Sequence, residues 1–527
     1  MSTDLPLRAE GPAVRFWVGA GARLAFAGAV AVGAALAVGE LLAGLLPGVP
    51  SPLLAVAQFI VDYQPPGAKD LVVALFGQAD KLAFQVFILL VGLAIGAALG
   101  RIAPKRPALA AATLAGFAAV GFAATLRVPG ANVALSAGAA GVEAVIGIRI
   151  LGSLVRVVAG TGAAGSMPDW GRRSLLRTGG GIVVGSVLAG FIGRQLAQRL
   201  QAPAIPVDLP TAPVAAILPT GADLATTDLT SAGLTPIVVP NPDFYRIDTA
   251  IIGPPTVNRD TWRLTVKGLV DHEVTLSYPD LVALPIIEQY VTIACVSNYV
   301  GGDLVGNAKW TGVSLRDVLA MAGVQGSADQ LVGRSVDGFT AGMPVEWVMD
   351  PARTPMIAVA MNDAPLPREH GYPVRLIIPG LYGYVSATKW LAELELTRFD
   401  QFEAFWVPRG WAAKAPILTQ SRIDVPRDGA SVAAGHVAVA GVAWAPDRGI
   451  TGVEVKVDDG AWAPARISAP ISKATWVQWL LDWSATPGSH NLEVRAIDGT
   501  GDVQTDQHSD PAPDGARGHH VIRVNVT

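Results

Sequence analysis

Five long apolar stretches before residue 200, at about 24–46, 82–100, 108–126, 131–152 and 176–196, constrain this chain more than any other feature. Each has roughly the 17 to 25 residues that an α-helix needs to cross a bilayer. The bulk composition agrees. Of 527 residues, 51% are hydrophobic and only 16% are charged, and the mean hydropathy is +0.41. Gly and Ala dominate the stretches, which in lipid favours close helix packing. With the N-terminus in the cytoplasm, Arg8, Arg15, Arg23, Arg101, Lys105, Arg106, Arg149, Arg156, Arg172, Arg173 and Arg177 lie inside or at inner helix ends. The outer loops then hold only Lys69, Lys81 and Arg127. That asymmetry is the positive-inside pattern, and five spans carry everything after residue 200 to the far side. The expected location is therefore the cell membrane, multi-pass, with the rest of the chain extracytoplasmic. A net charge of −4 without a basic stripe gives no footprint for nucleic acid.

The loop at 47–81 holds two shorter apolar pieces, "LLAVAQFIVDY" and "LVVALF", which read as interfacial or packed over the bundle. The fifth span opens "GRRSLLRTGGGIVVGSVLAG", which reads either as inner-loop anchors or as an internal twin-arginine export signal, a route that carries folded domains. Glu40 and Glu143 fall within spans and read as structural. All seven histidines follow the spans, so none is available there to ligate a b-type haem. The membrane part reads as an anchor.

A length of 527 residues suggests three or four domains. Residues 201–240 are rich in Pro, Ala and Thr and read as a linker leaving the membrane. From 241 to 410, strand-like runs such as "YVTIACV" and "PVRLIIPG" mix with the helical pattern "SLRDVLAMAGV", which suggests an α+β domain. From 415 to 527, short alternating segments ("VAVAGVAWA", "GVEVKVDDG", "HNLEVRAID") separated by turn residues suggest a β-sandwich.

The chain's single cysteine, Cys295, cannot form an intramolecular disulfide. Three roles are open to it. It is a small buried hydrophobe, a nucleophile with His370 as base, or a thiolate ligand to a soft or high-valent metal. Without CxxC or HExxH, a four-ligand zinc site is not built from local motifs. One thiolate suffices only where a cofactor brings the remaining ligands.

The stretch "CVSNYVGGDLVGNAKWTGVSLRDVLAMAGV", with "PNPDFYRID" upstream and "MNDAPLPREHGYPVRLIIPGLYGYVSATKW" downstream, resembles the sulfite oxidase family of molybdopterin enzymes, from about residue 235 to 527. The resemblance implies a molybdenum atom held by one pyranopterin dithiolene (Mo-molybdopterin), with Cys295 as its protein ligand. Asn298 matches an Asn that follows the ligand. Arg246 matches the arginine of an aromatic stretch near metal or pterin, and Tyr245 beside it is a cofactor-binding candidate. His370 and Arg375 match the pair that holds the pterin and its phosphate, and Ser386, Thr388 and Lys389 match the loop that closes over the phosphate. Arg246 and Tyr299 are the candidates to orient substrate. Trp310 and Trp390 read as core. Arg375 could alternatively be a strand residue turned to solvent.

Three positions depart from the family. Tyr299 and Val300 stand where animal and plant sulfite oxidases have basic residues, and Asp248 stands where a histidine is expected. Fewer cations suit sulfite less well. The expected fold class is multi-domain: a five-helix transmembrane anchor (1–200), a linker (201–240), an α+β molybdopterin-binding domain of sulfite oxidase type (241–410) and an immunoglobulin-like β-sandwich (415–527). The expected function is oxygen-atom exchange with a small substrate at sulfur. Sulfoxide reduction and a cofactor-free binding scaffold are the alternatives. No CxxCH haem site is present, so electrons would pass through a separate haem protein or quinone-linked carrier. The resemblance also makes a homodimer through the sandwich an expectation.

Overall fold

The computed structural model describes residues 19–63, 80–128, 131–159, 169–200, 214–216, 229, 231, 233–250 and 253–527. These fall into two compact units, one of the described residues up to 200 and one of the described residues from 214 on.

The first unit is helical: α1 (Ala20–Leu45), α2 (Pro52–Asp62), α3 (Asp80–Ile102), α4 (Pro107–Thr125), α5 (Val133–Ala159) and α6 (Asp169–Leu200). All five expected long stretches are helices. Among the described residues, four are long and apolar enough to cross a membrane: Ala20–Leu45, Leu82–Ile102, Pro107–Thr125 and Arg177–Ala197. The fourth expected span, at 131–152, forms α5, which is not among them and carries Glu143, Arg149 and Arg156 along its length. Four of the five expected spans therefore meet that measure, and the remaining stretch forms a helix that carries ionisable groups.

Glycine sets the packing of this unit. A Cβ on Gly28 would lie 1.9 Å from the Gly96 carbonyl oxygen, and one on Gly100 would lie 1.9 Å from that of Leu24, so α1 and α3 touch backbone to backbone. Gly44 and Gly193 do the same between α1 and α6, at 2.2 Å. Helix α5 packs along α1, with Gly147 against Ala35, and with Leu151 and Leu154 in apolar clusters with Ala31 and Ala27. Glu143 is buried beside Gly39 and Pro52, and Ser51 donates to Glu40. Of the two apolar pieces in the 47–81 loop, the first forms α2, N-capped by Ser51, with Pro52, Ala55 and Ala57 buried. The second, at 71–76, lies outside the described residues. The side chains of Arg172 and Arg173 also lie outside them.

The second unit is mostly β. Its first sheet runs Val214–Ala216, Ile286–Ala294, Val305–Ser314, Met356–Met361, Arg375–Ile377, with Ala364–Pro365 paired to Met356–Met361. The second sheet runs Val274–Ser277, Arg263–Gly268, Leu391–Thr397, Gln330–Ser335, Thr340–Pro344. Strand Met356–Met361 is buried at every position, so it reads as a continuous apolar run rather than an alternation. Trp310, Leu331, Ile357, Leu376 and Leu394 join the two sheets in one core.

The C-terminal region adds two more sheets, of four and five strands. They share a core of Val439, Trp479, Val455, Val494 and Val524. Trp444 and Trp476 from this region belong to the first core, so both halves are continuous. Part of the expected linker is also built in. Val214–Ala216 pairs in parallel with Ile286–Glu288, and Ile237 and Val239 are buried, because apolar residues there fill the seam between the halves. Most of 201–228 lies outside the described residues.

Candidate active site

Strands Ile286–Ala294 and Val305–Ser314 form an antiparallel pair that closes at Ala294 opposite Val305. Cys295 is the first residue beyond the pair. Its amide donates to the Leu304 carbonyl (2.9 Å), its carbonyl accepts from the Asn298 amide (3.1 Å), and the Asn298 Oδ1 accepts from the Leu304 amide (2.8 Å). Asn298 therefore ties the loop shut. The loop turns at Gly301, whose φ of +77° favours glycine and where an added Cβ would lie 2.3 Å from the His520 ring. Arg422 donates to the Gly302 carbonyl (2.8 Å) and pairs with Asp424 (2.6 Å), so the C-terminal region holds the cysteine loop from outside.

Cys295 is free, buried to 8% exposure, and lines a cleft of about 830 Å³ counted to its open mouth. One wall of the cleft is cationic. Arg375, 2% exposed, lies over the Trp310 ring at 4.9 Å and donates to the His370 carbonyl at 3.0 Å. Its Nε finds no hydrogen-bond partner among the described residues. Burial pushes its guanidinium down to about 10, with the neighbouring Tyr245 pulling the other way. The solvent-facing reading of Arg375 is therefore excluded. His370 is buried at 2% exposure, its Nε2 lies 3.2 Å from the Asn241 carbonyl, and its ring packs edge-on against Phe244. Burial, then the charges of Lys389 and Arg375, push His370 down to about 3, so it is neutral at ordinary pH. Tyr245 also lines the cleft, and burial raises its hydroxyl far above the usual range.

Opposite charges meet on another wall. The Asp248 Oδ2 accepts from Arg246 Nε (3.0 Å) and from Lys389 Nζ (3.3 Å), and its Oδ1 accepts from the Ala250 amide (3.2 Å). Lys389 also donates to the Glu369 carbonyl (2.8 Å). Asp337, a second lining carboxylate, is held above the usual range by burial with help from Asp248, against hydrogen bonds from Ser335 and the Phe339 amide. Phe339, Tyr384, Trp390, Trp406 and Trp411 supply an aromatic boundary.

Of the residues singled out from sequence, Cys295, Tyr245, Arg375 and Lys389 line the cleft, and His370 and Arg246 reach it through Arg375 and Asp248. The Ser386 hydroxyl donates to the Leu381 and Tyr382 carbonyls (3.0 Å each), and that of Thr388 to Gly333 (3.4 Å), so both are occupied by backbone. Tyr299 is 44% exposed on the loop and is not among the lining residues. Trp310 is core, whereas Trp390 borders the cleft. Sequence reasoning did not find Asp337 or the Phe339, Tyr384, Trp406 and Trp411 boundary. No local motif marks them, because they lie on separate segments that only the fold brings together.

Residues 252–406 match the family described as "Oxidoreductase molybdopterin binding domain". The mitochondrial sulfite oxidase of Homo sapiens is 29% identical over 317 residues, covering 51% of this chain and 57% of that protein. The uncharacterized oxidoreductase YuiH of Bacillus subtilis is 36% identical over 150 residues, covering 28% of this chain and 72% of that protein. The chain belongs to the sulfite oxidase family of molybdopterin-dependent oxidoreductases. It spans little more than half the length of the animal sulfite oxidases it matches. The sulfane dehydrogenase SoxCD of Paracoccus pantotrophus is 23% identical, with a TM-score of 0.48 over 56% of this chain. Membership implies a molybdenum-molybdopterin cofactor, and the donor set fits one. A free thiol suits a single protein ligand to the metal, and a buried guanidinium with an unpartnered Nε suits a phosphate.

Proposed function

We propose that this protein is a membrane-anchored, extracytoplasmic oxidoreductase that exchanges an oxygen atom with a small sulfur substrate. The observation that carries this reading is one cleft lined by both a free buried cysteine and a buried arginine whose Nε has no hydrogen-bond partner among the described residues. Cys295 would ligate molybdenum. Arg375 would neutralise the pterin phosphate, with neutral His370 holding Arg375 in place through its carbonyl. Tyr245 and Lys389 would line the remainder of the cofactor's bed, and Asn298 keeps the Cys295 loop closed. When bound, the cofactor supplies two-electron redox chemistry at the metal. The protein's part is to present a thiolate, compensate the phosphate and exclude water by aromatic side chains. Electrons would enter or leave through a separate haem protein or quinone-linked carrier, and the sandwich, immunoglobulin-like in its two facing sheets, would serve a homodimer.

Extracytoplasmic placement requires α5 to span as well, for a total of five, since four would return the catalytic part to the N-terminal side. Its antiparallel course along α1 supports this. Arg101 donates to the Gly21 carbonyl at one end of the bundle (3.3 Å), while the Asn132 amide donates to Gly48 at the other (2.7 Å). Reporter fusions after residues 128, 165 and 205 test the topology. If the last reports cytoplasm, the location is wrong.

Elemental analysis of protein from a molybdopterin-competent host tests the enzyme reading. Stoichiometric molybdenum is expected, and Cys295→Ser should keep pterin but lose turnover. Absence of molybdenum would favour the scaffold alternative. Sulfoxide reduction is favoured over sulfite oxidation by one observation, the two carboxylates that line the cleft, Asp248 and Asp337.

A further inference from the structure

The two cations around the cleft mouth, Arg246 and Lys389, are already paired within the protein. Asp248 is nearly inaccessible, with a side chain 4% exposed, and takes hydrogen bonds on both oxygens: Arg246 and Lys389 on one, the Ala250 amide on the other. Arg246 and Lys389 thus face a carboxylate fixed by the backbone. Arg246, Asp248 and Lys389 sum to one positive charge, and an ionised Asp337 brings the four to zero. The remaining buried cation, Arg375, lies against Trp310 and Tyr245, where the cofactor phosphate is proposed. An incoming oxyanion would have to displace Asp248 from two cations while approaching Asp337, inside a partly dehydrated cleft where like charges repel strongly. The boundary also holds Phe339, Tyr384, Trp406 and Trp411, which suits an apolar substituent.

We infer that Asp248 is a specificity-determining residue that excludes oxyanions from this site and reserves it for uncharged organic sulfur compounds, sulfoxides or their thioether products. This rests on the molybdenum reading for its turnover arm and not for its binding arm. The reaction is R2S=O + 2 H⁺ + 2 e⁻ → R2S + H2O. The S–O bond breaks, the oxygen leaves as water, and the electrons come from a reduced one-electron carrier. The competing reaction, sulfite with water to sulfate, releases two electrons and two protons and needs an anion to enter.

The test uses the full chain in detergent, purified from a molybdopterin-competent host, as wild type, Asp248→Asn and Asp248→Glu. In the binding arm, sodium sulfate is titrated calorimetrically at fixed ionic strength. Asp248→Asn should bind sulfate about tenfold or more tighter than wild type, because one opposing charge is gone, while Asp248→Glu should not. In the turnover arm, methyl phenyl sulfoxide is reduced with reduced viologen and sulfite is oxidised with ferricyanide. Wild type should favour the sulfoxide, and Asp248→Asn should raise the sulfite-to-sulfoxide ratio of kcat/KM by about tenfold. Unchanged sulfate affinity in Asp248→Asn, or wild type preferring sulfite, overturns the inference. Protein without molybdenum and without turnover of either compound overturns the proposed function instead, and the sulfate titration still decides the role of Asp248.

Discussion

Replacing Arg375 with methionine should have opposite consequences in the empty and cofactor-loaded protein. A guanidinium pushed from 12.5 to about 10 is disfavoured as a buried cation by roughly 3 kcal/mol. Against that stand one hydrogen bond to the His370 carbonyl and a stacking contact with Trp310, each contributing about 1 kcal/mol. No carboxylate partner is found among its ion pairs in the described residues, and Nε has no acceptor. Methionine has a similar reach and no charge, so Arg375→Met should leave cofactor-free protein as stable as wild type or more stable by about 1 kcal/mol, a rise of about 2 °C in Tm. In loaded protein the sign reverses, because the lost charge-assisted bonds to phosphate contribute about 1.5–3 kcal/mol each. Thermal melts of protein from molybdopterin-deficient and molybdopterin-competent hosts, with pterin and molybdenum content, read both effects. If cofactor-free Arg375→Met melts several degrees below wild type, the guanidinium is satisfied by the fold itself. If the variant retains full pterin, Arg375 does not hold the phosphate. Either result refutes the reasoning.

His370 predicts a pH dependence. Its folded value of about 3 lies below the unfolded 6.5, so between those values the unfolded chain binds the extra proton, and stability present above 6.5 is lost as pH falls. Urea midpoints of cofactor-free protein between about pH 7 and pH 4.5 should fall more steeply for wild type than for His370→Gln, by up to about 1.4 kcal/mol per pH unit, and equal slopes would contradict this. Gly301→Ala should destabilise by about 2 kcal/mol, since its φ is +77° and its Cβ would strike His520; adding His520→Ala should recover the steric part alone in urea unfolding. In the helical unit, Gly100→Val drives a side chain into the Leu24 carbonyl, whereas Gly116→Val meets nothing within 4 Å. Only the first should lower the melting temperature in detergent, and comparable effects of the two would count against backbone contact between α1 and α3.

The helices were legible because apolar length is a local property, although length and apolarity alone did not separate α5, with Glu143, Arg149 and Arg156, from the others. The C-terminal strands were legible through alternation, as in Gly488–Asp498, whose buried and half-buried residues alternate over its second half. The linker was misread in part. Proline-rich composition hides the two apolar residues, Ile237 and Val239, that lock into the core.

By itself the sequence determined that the N-terminal part forms helices apolar enough to span a bilayer, and that one thiol, a His-Arg pair and a Lys follow each other in the order of a molybdopterin site. Motif order survives in one dimension because each motif is a contiguous turn or strand. Tertiary structure alone decided what those residues do for one another. Asn298 and Ser386 look like ligand contacts in sequence, yet their side chains close backbone turns. Asp248 looked like a lost histidine and proves to be the counter-charge of Lys389, 141 positions away. Charge balance in a cleft is a sum over side chains from distant segments, and no local pattern carries that sum.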